Sequence, residues 1–180
     1  MKKYLVWVAA FMVSAALCRA EGLKLGVHGA YSVGGDVEDE SFGYGAQVGA
    51  AVNENLSLEL SGTMFQDQDE GIDMDITTIA FSARLGGELA DNVGLYVGGG
   101  ANYNMFDMDD VAGVKVDIDD VLGYHFCGGL ELSLADSIEL FGEYRYSMVE
   151  LDEATIGGET GDINEDYNFG LVRVGLNFIL

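Results

Sequence analysis

The sequence predicts an all-β protein, an eight-stranded antiparallel up-and-down β-barrel that crosses a membrane, and three observations lead to this prediction. Long segments alternate between apolar and polar residues with a period of two, the pattern of strands whose faces meet different surroundings. Short polar turns and longer acidic segments alternate along the chain. The second face of the strands carries mainly Gly, Ala and Ser, so it is poorly suited to contact with water.

The first 20 residues have the features of a cleaved secretion signal. Two lysines precede the apolar run "YLVWVAAFMVSAAL", and the small residues Cys18 and Ala20 follow with the spacing of a signal-peptidase site. The apolar run has roughly 14 residues, fewer than the ~20 that a spanning helix needs. A lipidated Cys18 is less favoured, because the residue before it is Leu17. We therefore expect a signal peptide at 1–20 and one barrel domain at 21–180.

The composition of the chain after cleavage excludes two classes of protein. Five Lys and Arg residues remain against 31 Asp and Glu residues, a net charge of about −26. Nucleic acid is excluded as a partner, because its phosphates require a basic surface. A disordered acidic protein is excluded because 49% of the full 180-residue chain is hydrophobic. Cys127 is the only cysteine left, so no intramolecular disulfide can form.

Acidic clusters and short turns give the topology. The polar links in "VNENLSLEL", "LADNVGLYV" and "LADSIELFG" predict three tight hairpins. Four acidic segments separate the remaining strands: "DVEDE", "DQDEGIDMD", "DMDDVAGVKVDIDD" and "ELDEATIGGETGDINED". Three short turns and four acidic loops make seven connections, which join eight strands in up-and-down order.

The apolar face of each strand is predicted to contact lipid. A transmembrane barrel alternates apolar-out and polar-in, whereas a soluble lipocalin-like barrel would need a more highly charged exterior. The prediction covers two sets of residues: Leu56, Leu58, Leu60, Val97, Leu130 and Leu140 face lipid, and Glu59, Arg84, Glu131, Glu143 and Arg145 face the interior. Gly43, Gly45 and Gly49 on the second strand, and Gly94, Gly98 and Gly100 on the fifth, also face inward.

The interior charges are expected to form pairs, since a buried charge needs an opposite partner. Arg84 should lie near Glu59, because the acidic segment between them folds their strands together. Arg145 shares its face with Glu143 and lies across from the strand that carries Glu131. Pairing of these groups predicts a plugged interior.

The aromatic residues cluster toward the acidic ends of the strands, where they are expected to form an interfacial girdle. The residues of this predicted girdle are Tyr31, Phe42, Tyr44, Phe65, Tyr103, Tyr124, Phe126, Tyr144, Tyr146 and Phe169.

The chain ends in "RVGLNFIL", and this ending resembles the C-terminal assembly signal of bacterial outer-membrane β-barrels. Arg173, Gly175 and Phe178 fill three of its positions, and Leu180 stands where most members have an aromatic residue. With the signal peptide and eight strands, the whole mature chain resembles the small OmpA-like and OmpX-like outer-membrane barrel family. The resemblance implies a bacterial outer membrane, contact with its lipid and lipopolysaccharide, and recognition of the last strand by the barrel assembly machinery.

The resemblance favours a structural or surface-exposed role over enzymatic activity, and we predict no catalytic, cofactor-binding or metal-binding residues. A small pore for ions or solutes is the alternative. A lipid-modifying enzyme is less favoured: His125, Cys127 and Glu139 resemble a deacylase pattern, but Cys replaces Ser, and Glu139 should lie roughly 26 Å along the strand from His125. Carboxylates of the acidic loops could hold divalent cations, since Ca²⁺ and Mg²⁺ prefer oxygen ligands.

Overall fold

The computed structural model describes residues 22–37, 41–69, 72–108, 116–118, 120–156 and 159–180. The predicted signal peptide lies outside these residues. The strands are β1 Leu23–Gly35, β2 Phe42–Ala51, β3 Leu56–Asp69, β4 Ile72–Ala90, β5 Val93–Met108, β6 Val116–Ile118, β7 Val121–Ala135, β8 Ile138–Ile156 and β9 Glu159–Ile179. No helix in this part of the chain is long and apolar enough to cross a membrane.

Eight long strands form a closed antiparallel barrel, as the sequence predicts. The order is β1-β2-β3-β4-β5-β7-β8-β9, and β9 pairs back onto β1 from Ile179 opposite Lys24 to Leu171 opposite Ser32. The last backbone amide, at Leu180, donates a hydrogen bond to the Leu23 carbonyl at 2.8 Å. Closure leaves no barrel strand with an open edge in the membrane, which satisfies the backbone groups that lipid cannot.

The three short turns, the start of β1 and the end of β9 all lie at one end of the barrel, which we call the short-turn end. The turn between β2 and β3 is held by Asn53, whose side-chain oxygen accepts hydrogen bonds from the amides of Asn55 and Leu56, both at 2.9 Å. The acidic segments lie at the other end, the acidic end. The predicted alternation of turns and acidic connections is therefore confirmed.

The acidic segments are more regular than the loops expected from the sequence. Asp67 and Asp69 pair with Met74 and Ile72, so the predicted second acidic loop is mostly a strand hairpin. The strands β8 and β9 have 19 and 21 residues, against the ~9–11 that a tilted strand needs to cross a bilayer. They therefore project beyond the barrel wall, and the additional short strand β6 pairs with this projection through Val116 opposite Ile156.

The predicted two faces of the wall are confirmed. Val97 is 61% exposed and Leu130 50%, while the predicted outward residues Leu56, Leu58, Leu60 and Leu140 are partly covered by neighbours on the outer surface. Glu59, Arg84, Glu143 and Arg145 are buried in the barrel. Inward glycines give these side chains room: a side chain at Gly45 would collide with the His28 ring.

The aromatic prediction is confirmed in part and wrong for two residues. Phe42, Tyr44 and Tyr124 are exposed on the outer surface toward the acidic end. Phe126 and Tyr144 are also exposed, but they lie nearer the middle of the wall, on either side of the Cys127–Arg145 pair. Tyr31, Tyr103 and Tyr146 are only partly exposed. Phe65 and Phe169 are instead buried, with ring centroids 5.3 Å apart. They have the same strand parity as the inward charges Glu59 and Arg173, so they face the interior rather than the girdle.

An apolar cluster therefore fills the interior at the acidic end. We call it the apolar cap; its buried residues are Phe65, Ile76, Phe106, Val121, Val149, Leu151, Phe169 and Leu171. Above it, Tyr167 donates a hydrogen bond to the buried carboxylate of Asp67 at 2.8 Å. The position of Phe65 and Phe169 near the acidic ends of their strands predicted a girdle, but their strand parity places them in this cap.

Candidate functional site

Five charged side chains from four strands meet at the centre of the barrel. Arg84 lies 2.5 Å from both Glu59 and Glu143. Arg145 approaches Glu143 at 3.0 Å and Glu59 at 3.2 Å. Arg173 approaches the same carboxylates at 2.6 Å and 3.4 Å. These five side chains are the central cluster, and every one of them is no more than 5% exposed.

Glu143 holds the central cluster together. Its carboxylate accepts hydrogen bonds from Arg84, Arg173 and the neighbouring Arg145, and also from the Tyr96 hydroxyl at 2.9 Å. Charge-assisted hydrogen bonds of this kind are roughly twice as strong as neutral ones. Local sequence patterns do not predict this central position, because Arg84 on β4 and Tyr96 on β5 reach Glu143 only when the barrel closes.

Two of the three predicted ion pairs are confirmed. Arg84 pairs with Glu59, and Arg145 pairs with Glu143. The expected proximity of Arg145 and Glu131 is wrong. The strand register places Arg145 opposite Cys127, four residues from Glu131 along β7, and Glu131 pairs instead with Lys24 at 3.3 Å.

Lys24, Glu131 and Glu139 form a second group, the mouth cluster, near the short-turn end. Lys24 also lies 2.9 Å from Glu139. The central cluster has three guanidiniums and two carboxylates, and the mouth cluster has one ammonium and two carboxylates. The ion-paired side chains described inside the barrel are therefore four basic and four acidic. This balance is what a poorly hydrated interior requires.

Two amides connect the clusters by hydrogen bonds. Asn177 donates to Glu139 at 3.0 Å and accepts from Gln47 at 2.8 Å. The Gln47 oxygen in turn accepts from Arg173 at 2.5 Å. A continuous polar chain thus runs from the mouth cluster to the central cluster, built from inward positions of β2, β8 and β9.

The interior has a cavity at one end of the barrel. A cavity of about 270 Å³ lies at the short-turn end and is lined by residues that include Lys24, Asn53, Tyr96, Glu131 and Glu139. The central cluster lies above this cavity, and the apolar cap lies above the cluster. The polar chain therefore ends inside the barrel.

The three residues that resemble a deacylase pattern do not come together. His125 lies in the barrel interior, where its Nε2 is 2.8 Å from the Ser82 hydroxyl. Cys127 is a buried free thiol. Glu139 belongs to the mouth cluster and pairs along the wall with Ser133, as the predicted turn requires. His125 and Glu139 are thus held by different partners in different layers of the interior.

The comparisons with known proteins agree with this architecture. Neisserial surface protein A is 17% identical, with 88% of this chain and 97% of that chain covered and a TM-score of 0.70. OprG of Pseudomonas aeruginosa is 14% identical, with 90% and 97% covered and a TM-score of 0.64. Ail, the attachment invasion locus protein of Yersinia pestis, solved with the heparin analogue sucrose octasulfate, is 16% identical, with 89% and 99% covered and a TM-score of 0.60.

The sequence comparisons give the family. A search of curated proteins found no significant match. The family model described as outer membrane protein beta-barrel domain matches residues 5–179, nearly the whole chain. With a closed eight-stranded wall, an apolar exterior and a charged interior, the chain belongs to the outer membrane protein β-barrel family, which places it in the bacterial outer membrane.

Proposed function

We propose that this protein is a non-enzymatic barrel with a structural or surface-exposed role, a closed interior and acidic loops that face the outside of the cell. A signal peptide at 1–20 would direct its export and be removed. The observation that carries the proposal is the central cluster, in which Arg84, Arg145 and Arg173 bridge strands on different sides of the barrel through Glu59 and Glu143.

The energetics of the central cluster support a closed interior. A conducting path would have to separate ion pairs that are almost fully buried, and each freed charge would remain in a poorly hydrated space. Breaking a buried pair costs about 3–5 kcal/mol when one partner is left alone. The apolar cap adds a second barrier, because it presents no polar group to a passing ion. Both layers would have to rearrange together before an ion could pass.

A small pore is the second candidate, and the cavity at the short-turn end favours it. Water can enter there as far as the mouth cluster, since Lys24 keeps 28% of its side chain exposed. Enzymatic activity has less support, because the interior histidines contact buried side chains and not this cavity.

Conductance distinguishes the closed barrel from the pore. Purified protein, folded as judged by its different migration with and without heating, is inserted into planar lipid bilayers. We expect the conductance to stay at the level of a protein-free bilayer over a wide voltage range. Stable, protein-dependent current steps would contradict the closed interior and favour the pore.

The acidic end is the proposed place of contact with lipopolysaccharide. Its phosphates carry the same charge as the acidic segments, so direct contact is repulsive, and divalent cations could bridge the two groups. The exposed Asp75, which accepts a hydrogen bond from Gln66 at 2.7 Å, marks one such segment. The membrane lipid and the barrel assembly machinery are the other proposed partners.

Cation bridging predicts that Ca²⁺ binds the folded protein weakly, with Kd about 10⁻⁴–10⁻³ M, and more tightly when lipopolysaccharide is present. Isothermal titration measures both values. Replacing Asp73 and Asp75 with Asn should weaken the lipopolysaccharide-dependent binding. The control replaces Asp91 and Asp136, in the turns at the opposite end, and should leave it unchanged. Equal effects from both variants would contradict the bridging proposal.

A further inference from the structure

Six buried side chains among the described residues have a polar atom without a hydrogen-bond partner, and the three that are neither carboxylates nor guanidiniums lie together. They are Asn102, with both amide atoms, His125, with Nδ1, and Ser147, with Oγ. Each side chain is at most 1% exposed. Buried polar groups in native proteins nearly always have a partner, which is either protein or ordered water.

The strand register places these three side chains next to one another. His125 on β7 lies directly opposite Ser147 on β8. Asn102 on β5 lies opposite Gly123, two residues before His125. Because Gly123 has no side chain, the Asn102 amide extends over it toward β8, and a Cβ at Gly123 would lie 2.6 Å from Asn102 Oδ1. The unpartnered atoms thus belong to one patch of the wall, above the central cluster and beside the apolar cap.

The hydrogen bonds around His125 indicate which of its nitrogens carries the proton. Arg145 donates to the Ser82 hydroxyl oxygen at 3.4 Å, and a guanidinium can only donate. We infer that the Ser82 hydroxyl donates to His125 Nε2, 2.8 Å away, which places the imidazole proton on Nδ1. His28 has the opposite arrangement, because Arg173 donates to its Nδ1 at 3.3 Å and Nε2 faces Thr63 at 3.0 Å.

We propose that Asn102, His125 and Ser147 bind a buried water inside the barrel, with His125 Nδ1–H and the Asn102 amide as its anchors. A water can accept from His125 Nδ1–H and donate to Asn102 Oδ1, and a buried water needs two to four such partners. A cation would be repelled by the nearby arginines of the central cluster. An anion would leave Asn102 Oδ1 without a donor.

The proposed water is discrete and does not belong to a continuous column. Asn104, the next inward residue of β5, is equally buried but already satisfied: it accepts from Thr78 at 2.9 Å and donates to the Val121 carbonyl at 3.5 Å. The apolar cap begins at this level with Val121. The inference concerns the interior alone and does not depend on what the acidic loops contact.

Nuclear magnetic resonance of the isotope-labelled full barrel in lipid nanodiscs tests this proposal. We expect a water cross-peak at the side-chain amide of Asn102 and none at that of Asn104. Asn104 is a matched control, since it lies on the same strand, is equally buried and also neighbours a hydroxyl. The ¹⁵N shifts should show the proton on Nδ1 of His125 and on Nε2 of His28.

The possible results distinguish failure of the water site from failure of the closed interior. Absence of a water cross-peak at Asn102 would overturn the water site and leave the closed interior intact. Cross-peaks of equal strength at Asn102 and Asn104 would overturn both, because they would indicate a continuous water column. A proton on Nε2 of His125 would overturn the assignment of Nδ1–H as a water anchor.

Discussion

Replacing Glu143 with Gln should lower the free energy of unfolding by roughly 3–5 kcal/mol, the cost of removing one partner from a buried ion network. The substitution leaves three guanidiniums facing the single carboxylate of Glu59. It also replaces one carboxylate oxygen with an amide NH₂, so two donors lose their acceptor: either Arg84 and the Tyr96 hydroxyl, or Arg145 and Arg173. Unfolding by denaturant in lipid vesicles, followed by the loss of heat-modifiable migration, measures the change.

Glu131→Gln is the matched control for this prediction. It makes the same chemical change in the mouth cluster, where the side chain is 23% exposed and faces the cavity at the short-turn end. Water can solvate the Lys24 ammonium there, so the free energy of unfolding should fall by at most about 1 kcal/mol. Equal destabilisation by the two variants would show that water reaches both clusters and would count against a closed interior.

Arg145→Ala gives a second comparison within the central cluster. The sequence alone predicts a loss of roughly 3–5 kcal/mol for this variant in a dry interior and at most about 1 kcal/mol in a water-filled one. The structure adds a ranking. Removal of Arg145 leaves two guanidiniums with two carboxylates, a balanced set, so the loss should be smaller than for Glu143→Gln. A larger loss for Arg145→Ala would contradict this account of the charge balance.

The sequence predicted the wall of the barrel well, because each strand has its own two-residue period and each turn its own polar residues. Leu56, Glu59 and Leu60 already define the two faces of β3 without any other strand. It also located Arg84 beside Glu59, since a single hairpin brings these residues together. Local patterns are sufficient wherever the contact lies within one hairpin.

The parts that the sequence did not predict depend on closure of the whole barrel. The contacts of Arg173 with Glu59 and of Lys24 with Glu131 and Glu139 join strands that come together only when the barrel closes. The expected proximity of Arg145 and Glu131 was wrong for a local reason, because the β7–β8 register places Arg145 opposite Cys127.

Deletion of residues 178–180 should reduce assembly much more than deletion of residues 154–161. In the closed barrel Phe178 pairs with Leu25 on one side and Ile138 on the other. The amides of Ile179 and Leu180 donate to the carbonyls of Ser137 and Leu23 at 3.0 Å and 2.8 Å. Their loss removes the backbone hydrogen bonds that join the end of β9 to both of its neighbours, at about 0.5–1.5 kcal/mol each. The yield of heat-modifiable barrel in the outer membrane measures assembly.

Phe178→Ala separates recognition of the last strand from closure of the barrel. It keeps every backbone hydrogen bond, and the ring it removes is 46% exposed on the outer surface, so the folded barrel should lose little stability. If the assembly machinery reads this ring, the variant will assemble poorly in cells yet refold normally from denaturant into detergent or lipid. The deletion of residues 154–161 removes only part of the projecting β8–β9 hairpin, whose strands pair with each other well before they reach the barrel wall. Equal yields in cells from Phe178→Ala and the hairpin deletion would contradict a role of the C-terminal strand as an assembly signal.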